Sequence, residues 1–432
     1  MSSERCIEDL ISFLDGSPTA WHAIDNCKKK LKALDFTELK ESERWEISPG
    51  GKYYITRNGT SIFAFIAPTS APTEAIIAAA HTDSPALKIK SNAEYKHENM
   101  TMLGTDVYGG PLLSSWLNRD LMITGRVVFS NSNEALETKL IALEEFPVTI
   151  PQLAIHLDRG VNEKGPALNK QTHLDALAAV NYEGDSFLMD IIQKEVGSNN
   201  ILGHDLFLCP IEKAKRLGYN KELLATYRFD NLGSAHAALT GITDSIEPAK
   251  NTIKAIVLWD SEEIGSATAQ GAESPFFTDC LERITLSYGL DREDYFRLIS
   301  NSLCLSIDQA HALHPNYPDK HDSQHAPLLG KGIVIKYNAQ QKYATDADTE
   351  AVVQFICQKE NIPFQKFICR GDIPCGSTIG PLHASATGMK TVDLGLPQLS
   401  MHSVRELGAC DDHISMCHFI SVFFNTGLIK FN

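Results

Sequence analysis

Five hydrophobic runs in this chain each end at histidine or carboxylate side chains. They are AIIAAA before His81-Thr82-Asp83, TYRF before Asp230, IVLWDS before Glu262-Glu263, LCLSI before Asp308 and LGLPQLSM before His402. Buried apolar runs of this length are typical of strands in a sheet that is covered on both faces. In open α/β sheets, ligand-binding groups collect beyond the carboxyl ends of the strands. The pattern therefore predicts that these side chains meet at one edge of a sheet.

Two histidines with three or four carboxylates are a typical set of metal ligands. A single catalytic zinc uses three protein ligands, so this larger set fits two divalent ions if one carboxylate bridges them. Asp230 is the best candidate for the bridge, although helix N-capping is an ordinary alternative for an Asp between a strand and a helix. Asp83 lies two residues after His81, on the same side of an extended chain, and can bind the far ring nitrogen of His81.

Glu262 and Glu263 are adjacent acids at a strand end, and they repel one another unless a cation compensates them. One of them can bind an ion while the other accepts the proton of the attacking water, which is the role of a general base. Gly265 permits the tight turn that follows. Four further histidines stand near Asp308, and we assign most of them to hydrogen bonding rather than to metal binding: His311, His314, His321 and His325.

Composition narrows the class of protein. The 432 residues are 43% hydrophobic and 22% charged, which is ordinary for a soluble protein of two domains. A net charge of -15 makes nucleic acids and anionic membranes poor partners. No apolar run is long enough to span a bilayer, and the first residues predict an amphipathic helix rather than a signal peptide. Ten cysteines without a CxxC pair indicate reduced thiols and a cytoplasmic protein.

The order of predicted elements indicates the fold. From about Ile253 onward, strands alternate with helices, which predicts an α/β fold with a mixed, largely parallel sheet and helices on both faces. The residues between His81 and Asp230 are too many for an ordinary connection. They contain their own strand patterns, including one at 154–157, and a helix near 186–195. We therefore expect a catalytic domain formed by 1–90 and 219–432, with a β-rich domain inserted at 91–218.

Motifs for other chemistries do not occur. The chain has no GxGxxG or GxxxxGK[ST] stretch for nucleotides and no GxSxG elbow of a serine hydrolase. The stretch CGSTIGP at 375–381 is better interpreted as backbone that lines a substrate pocket.

Taken together, the motifs resemble those of the aspartyl aminopeptidases, which are zinc exopeptidases with two ions in the catalytic site. The blocks AAHTDSP, RFDNL, SEEIGSATAQGA, SIDQAHALHPNY, CGSTIGP and SMHSVRE occur in the family's order from His81 to Glu406. The resemblance implies a set of zinc ligands, with Asp230 bridging: His81, Asp230, Glu263, Asp308 and His402. It implies Glu262 as the general base and Asp83 as the residue that orients His81.

Other roles are implied by the resemblance alone. The inserted segment resembles the family's dimerisation domain, in which His156 of AIHLDR would reach a neighbouring subunit's active site. Lys336 in IVIKYN would face the acidic side chain of the substrate, and Tyr343 would lie in the same pocket. The family's assembly implies a homo-oligomer, often a dodecamer built from dimers.

The resemblance implies hydrolysis of short peptides at an N-terminal Asp or Glu. The two divalent ions would be Zn²⁺, although Mn²⁺ and Co²⁺ accept the same ligands. Three alternatives stay open at this point: a dizinc aminopeptidase of broader specificity, a carboxypeptidase or deacylase of the same fold, and a non-catalytic protein that kept the fold. The intact Glu262 and the full ligand set argue against the last.

Overall fold

A computed structural model describes residues 2–131, 133 and 135–427 of the protein. These residues form α-helices with the following bounds: α1 Ser3–Asp15, α2 Ala20–Lys32, α3 Val161–Lys164, α4 Phe187–Val196, α5 Phe229–Thr243, α6 Phe276–Ser287, α7 Arg292–Ser300, α8 Ala347–Glu360, α9 Ile379–Thr387 and α10 Cys410–Thr426. Within the described ranges, no helix has the length and apolar character that a bilayer crossing requires.

The largest sheet has nine strands and is mixed. In spatial order it contains β1 Thr37–Glu38, β2 Lys52–Arg57, β3 Ser61–Ile66, β13 Thr252–Trp259, β4 Glu74–His81, β14 Leu303–Ile307, β18 Lys390–Gly395, β16 Ile333–Tyr337 and β17 Phe364–Ile368. Its centre, β13–β4–β14–β18, is parallel throughout. The carboxyl ends of these four strands therefore open at the same edge.

The sheet is buried on both faces, as the apolar runs predicted. Alternate residues of β4 point to opposite sides, so that Ile76 packs in one hydrophobic core and Ile77 in the other. Helices α1, α2, α5, α8 and α10 cover the first face, and α6, α7 and α9 cover the second. Each large aliphatic side chain buried in this way contributes about 1.5–3 kcal/mol. The predicted α/β architecture with helices on both faces is confirmed.

Local sequence explains where some helices begin and end. Asp346 caps α8, because its carboxylate accepts the Thr349 N–H at 2.8 Å while the Thr349 hydroxyl accepts the Asp346 N–H at 3.0 Å. This reciprocal capping box satisfies backbone donors that no helical turn can reach. Asn361 ends the helix in the left-handed conformation, at φ 56°.

A second, antiparallel sheet lies between Ala86 and Pro210. In spatial order it contains β8 Leu136–Val148, β7 Leu121–Ser130, β10 Ile201–Pro210, β5 Ala86–His97, β6 Met100–Tyr108 and β9 Ala176–Val180. It has its own hydrophobic core, to which α4 contributes Phe187, Leu188 and Ile192. The sheet agrees with the β-rich insertion, while the boundaries at 91 and 218 stay predictions.

One strand predicted in this region is wrong. Residues 154–157 form a turn, in which the Leu157 N–H donates to the Ala154 carbonyl at 2.9 Å. The segment is rich in apolar residues, but Leu153 is 58% exposed and Leu157 is 74% exposed. Without a core to pack against, these apolar residues do not form a strand.

A third, small sheet corrects the expectation that all five runs belong to one sheet. It contains β11 Lys215–Leu217, β12 Leu223–Thr226, β20 Glu406–Ala409, β19 Pro397–Leu399 and β15 Ala310–His311. The run before His402 begins at the end of β18 and continues into β19 of the small sheet, and the run before Asp230 begins at Thr226, the last residue of β12. The small sheet continues from the ends of β14 and β18, because the Asp308 N–H donates to Leu394 and the Ala310 N–H to Leu396, each at 2.9 Å. Both sheets therefore deliver side chains to the same place.

Candidate metal centre and active site

The edge where the two sheets meet forms a cavity of about 310 Å³. His81 is the last residue of β4, Glu262 and Glu263 follow β13, and Asp308 follows β14. Asp230 lies at the start of α5, and His402 lies between β19 and β20. The cavity is lined by His81, Asp230, Glu262, Glu263, Asp308, Gln309, Ala310, His311, Lys336, Tyr343, Gly376, Ser377, Thr378, Met401 and His402. All five predicted metal ligands are thus brought together.

Asp230 lies between two groups of side chains. Its Oδ1 atom is 3.5 Å from His81 Nε2, which is also 3.5 Å from Asp308 Oδ1. Its Oδ2 atom is 3.7 Å from His402 Nε2, which is 3.4 Å from Glu263 Oε2. Each oxygen of the Asp230 carboxylate therefore faces a different histidine, as a bridging carboxylate requires.

These separations fit metal ions better than direct hydrogen bonds. Hydrogen bonds between nitrogen and oxygen span about 2.7–3.2 Å, whereas two ligand atoms on one tetrahedral zinc lie about 3.3–3.6 Å apart. The donor atoms of His81, Asp230 and Glu263 all lie within 4.8 Å of one another. Asp230 Oδ1 is buried and has no hydrogen-bond partner among the described residues. The donor set therefore fits zinc.

The concentration of carboxylates also calls for a cation. Burial and the nearby Asp308 carboxylate raise the pKa of Glu262 to about 8. Burial and the Asp230 carboxylate raise the pKa of Glu263 well above its usual value. Burial would lower the pKa of His81, but the surrounding carboxylates raise it well above its ordinary value. A divalent cation would compensate this negative charge and keep the carboxylates ionised.

Asp83 holds the other side of His81. The His81 Nδ1 atom lies 3.1 Å from the Asp83 carbonyl oxygen and 3.4 Å from the Asp83 carboxylate. The same carboxylate accepts the N–H groups of Glu262 and Glu263, each at 3.1 Å, and the Tyr108 hydroxyl at 2.8 Å. The carbonyl rather than the carboxylate is therefore the nearer partner of the ring, and the carboxylate positions the two glutamates.

The backbone at the site adopts uncommon conformations. Arg228, Ser261 and His402 have positive φ values of 63°, 66° and 66°, a region that non-glycine residues seldom occupy. The Asp230–Asn231 peptide bond is cis. Gly265 has φ 94°, which confirms the tight turn expected after Glu263. Left-handed residues tend to cluster at functional sites, where the surrounding structure imposes them.

Glu406 is a site residue that sequence reasoning missed. Its buried carboxylate accepts the N–H of Asp230 at 2.9 Å and the N–H of His402 at 2.7 Å. It therefore fixes the backbone of two predicted ligands at once. Its position four residues after His402, inside the SMHSVRE block, was the available signal, but nothing local distinguishes it from a surface acid.

Lys336 and Tyr343 line the same cavity. Lys336 is buried within β16, which lies between β17 and β18. Its Nζ donates to the Gln309 carbonyl at 2.7 Å, lies 3.6 Å from Asp308 Oδ2 and is 5.0 Å from the centre of the Tyr343 ring. Lys336 thus places a positive charge beside one predicted ligand.

Of the remaining predicted residues, some line the cavity and others lie outside it. His156 lies in an exposed turn and is not among the described residues that line the cavity. Gly376, Ser377 and Thr378 line the cavity, as expected for the CGSTIGP stretch. Of the four histidines near Asp308, His311 lines the cavity, and the other three lie on the loop that follows.

Comparison with known proteins agrees with this geometry. The family model described as aminopeptidase I zinc metalloprotease (M18) matches residues 13–424. A probable M18 family aminopeptidase 2 of Clostridium novyi is 42% identical over 427 residues, which cover 96% of this chain and 98% of the relative. A probable aspartyl aminopeptidase of Ricinus communis is 37% identical over 462 residues, covering 96% and 94%.

Two solved structures share the fold. A cryo-EM structure of the Ape4 and Nbr1 complex has a TM-score of 0.93 and 34% identity, covering 98% of this chain and 86% of that one. The structure of the S. cerevesiae mApe1 dodecamer has a TM-score of 0.85 and 26% identity, covering 98% and 97%. The fold and the ligand set at the sheet edge define a metallopeptidase of the zinc aminopeptidase type. The chain belongs to peptidase family M18 and is a zinc aminopeptidase. Membership of this family favours an aminopeptidase over the alternative functions of a carboxypeptidase or a deacylase.

Proposed function

We propose that the protein binds two divalent metal ions at the sheet edge and releases acidic residues from the N-termini of short peptides. His81, Asp230 and Asp308 would hold one ion, and Asp230, Glu263 and His402 the other. The observation that carries this assignment is the Asp230 carboxylate, whose two oxygens face the two histidines at 3.5 and 3.7 Å. Zinc is the first candidate, and manganese and cobalt accept the same ligands.

Bound ions of this kind polarise a scissile carbonyl and lower the pKa of a water toward about 7. Glu262 lines the cavity and has no place in either proposed ligand set. Its role is to accept the proton of the attacking water and to deliver it to the leaving amine. Asp83 supports this role, since it accepts the Glu262 N–H and lies beside the His81 ring.

Lys336 supports a preference for acidic residues. A protein with a net charge of -15 repels acidic peptides at long range, so their selection requires a local cation. Lys336 is the lysine of the cavity lining, and Tyr343 packs beneath its ammonium group. The relative described as a probable aspartyl aminopeptidase supports the same substrate class. The carboxylates around the ions would attract the free α-amine of the substrate and so restrict cleavage to the chain end.

A homo-oligomer built from dimers would complete the site. His156 lies outside the cavity of its own chain, on a turn with the exposed side chains of Leu153, Ile155 and Leu157. This turn would reach a neighbouring subunit, where His156 would stabilise the oxyanion of the reaction, an effect typically of about 3 kcal/mol. The S. cerevesiae mApe1 structure, which is a dodecamer, supports such an assembly.

The experiment that tests the proposal is hydrolysis of peptides that begin with Asp, Glu, Ala or Leu. The purified protein is assayed as prepared, after chelation, and with zinc or manganese added back. Metal-dependent release of acidic residues alone is the expected result. Equal release of Ala or Leu would retain a broader dizinc aminopeptidase and remove the acidic preference. No release by the metal-loaded protein would overturn the assignment.

Lys336→Met tests the residue proposed for specificity. A hydrogen bond to a charged group contributes about 1.5–3 kcal/mol, so kcat/KM for Asp peptides should fall roughly 10- to 100-fold, while Leu peptides change little. Lys366→Met is the matched control, because Lys366 is an exposed strand lysine that pairs with Glu350. Equal losses on both substrates would show that Lys336 acts through Asp308 instead.

A further inference from the structure

Two thiols and an imidazole meet where the first and last helices pack together. Cys6 belongs to α1, while His413 and Cys417 stand one turn apart on α10 and so share a face of that helix. Cys6 Sγ is 3.7 Å from Cys417 Sγ, and Cys417 Sγ is 3.3 Å from His413 Nε2. All three side chains are buried, and their donor atoms lie within 4.8 Å of one another.

A second imidazole extends this cluster. His236 of α5 is buried, and its Nδ1 lies 3.0 Å from His413 Nε2. The opposite nitrogen of its ring, Nε2, is 3.0 Å from Asp9 Oδ2, and Asp9 pairs with Lys30 at 2.6 Å. A carboxylate on the far nitrogen is the usual support of a metal-binding histidine, because it fixes the tautomer and raises the basicity of the ring.

We propose that Cys6, His413 and Cys417 hold a structural zinc ion at a site separate from the catalytic cavity. The His236 ring lies at hydrogen-bond distance from His413 Nε2, and binding of the ion would replace that hydrogen bond and make His236 Nδ1 the fourth ligand. Zinc–thiolate bonds of about 2.3 Å place two sulfurs of a tetrahedral site about 3.8 Å apart, and a sulfur and a nitrogen about 3.5 Å apart. The observed 3.7 and 3.3 Å are close to these values.

Charge and position also favour the ion. Two thiolates cancel the charge of Zn²⁺, so a Cys₂His₂ site can be buried without an uncompensated charge. The ion would join residues that are 411 positions apart and tie both ends of the chain to α5. Cys6 precedes the residues matched by the family model, 13–424, so family membership does not imply this site.

Cobalt substitution of the full-length protein tests the proposal. The catalytic cavity offers nitrogen and oxygen ligands, so a sulfur-to-cobalt charge-transfer band in the near ultraviolet reports cysteine ligands and not the catalytic cavity, and the serine variants assign it to Cys6 and Cys417. Adding Co²⁺ to metal-stripped protein should produce this band. Cys6→Ser and Cys417→Ser should each weaken it to half or less, and the double variant should abolish it. Cys27→Ser is the matched control, since Cys27 is buried in the same core outside the cluster; its band should persist.

X-ray absorption at the zinc edge of the wild-type protein gives a measurement that needs no variant. Zinc-loaded protein should show a sulfur shell at about 2.3 Å. A spectrum with nitrogen and oxygen shells only would overturn the proposal, as would a cobalt band that the double serine variant retains. Two fewer titratable thiols than the ten of the chain, with a Cys6–Cys417 disulfide found by mass spectrometry, would replace the zinc site with a disulfide.

Discussion

Replacing Glu406 by Gln removes one of the two acceptors that position the proposed ligands Asp230 and His402. The Glu406 carboxylate is 1% exposed and accepts their backbone N–H groups at 2.9 and 2.7 Å. Gln keeps one carbonyl oxygen but turns an NH₂ group toward the other backbone N–H. One ligand therefore loses its anchor while the side-chain volume stays the same.

The size of the effect follows from these contacts. A hydrogen bond to a charged group contributes about 1.5–3 kcal/mol, and a buried donor left without a partner costs about 1–3 kcal/mol. Burial and the Asp230 carboxylate raise the pKa of Glu406 well above its usual value, so neutral Gln also relieves some repulsion. We expect a net effect of about 2 kcal/mol on the ligand geometry, which corresponds to roughly a 30-fold loss of metal affinity.

The assay is competition for zinc between the protein and a chromophoric chelator, with kcat and KM measured separately at saturating zinc. Metal affinity should fall, and most of kcat should return when zinc saturates the variant. Glu94→Gln is the matched control, because the Glu94 carboxylate accepts the N–H groups of Phe187 and Leu188, each at 2.9 Å, in the second sheet. It should lower the unfolding temperature and leave zinc affinity unchanged. Wild-type affinity in the Glu406 variant, or an equal loss in both variants, would refute the reasoning.

Three further predictions concern other contacts. Tyr108→Phe removes the 2.8 Å hydrogen bond to Asp83 and should lower kcat about 3- to 10-fold at unchanged zinc content; an unchanged kcat would contradict the role of Asp83. Burial lowers the pKa of His383 to about 4 from 6.5. As the pH falls, the unfolded chain therefore protonates His383 before the folded protein does. About 3 kcal/mol of stability, present above pH 6.5, is lost as the pH falls to about 4. The free energy of urea unfolding should not show this loss in His383→Leu. A Cβ at Gly395 would lie 2.1 Å from the Asp308 carbonyl oxygen. Gly395→Ala should therefore displace Asp308 and lower both the unfolding temperature and the activity. Normal activity in this variant would show that Asp308 is not displaced.

Much of the fold could be predicted because each central strand carries its own pattern. The runs at β4, β13 and β14 are mostly apolar and buried along their length, which is typical of a sheet covered on both faces. The turn at 154–157 shows the limit of such patterns, since its apolar residues resemble a strand while Leu157 is 74% exposed. An apolar pattern indicates which side chains could be buried, and packing decides whether they are.

The site shows the same division between local and tertiary information. His81, Glu263 and Asp308 could be predicted because each lies at or just after the end of an apolar run that the sequence itself marks as a strand. The sequence did not predict that Asp230 and His402 follow strands of a separate sheet. The strands concerned, β12 and β19, are short and pair with residues distant in sequence.

What the sequence alone determined was the type of chemistry: two histidines and several carboxylates at strand ends, with a second glutamate beside a ligand. Only the tertiary structure decided which oxygen faces which histidine. It also revealed that Glu406 holds two of the proposed ligands and that Cys6 lies beside Cys417. Residue types and strand ends are local properties of a chain. A distance of 3.7 Å between atoms 411 residues apart depends on the packing of every element between them.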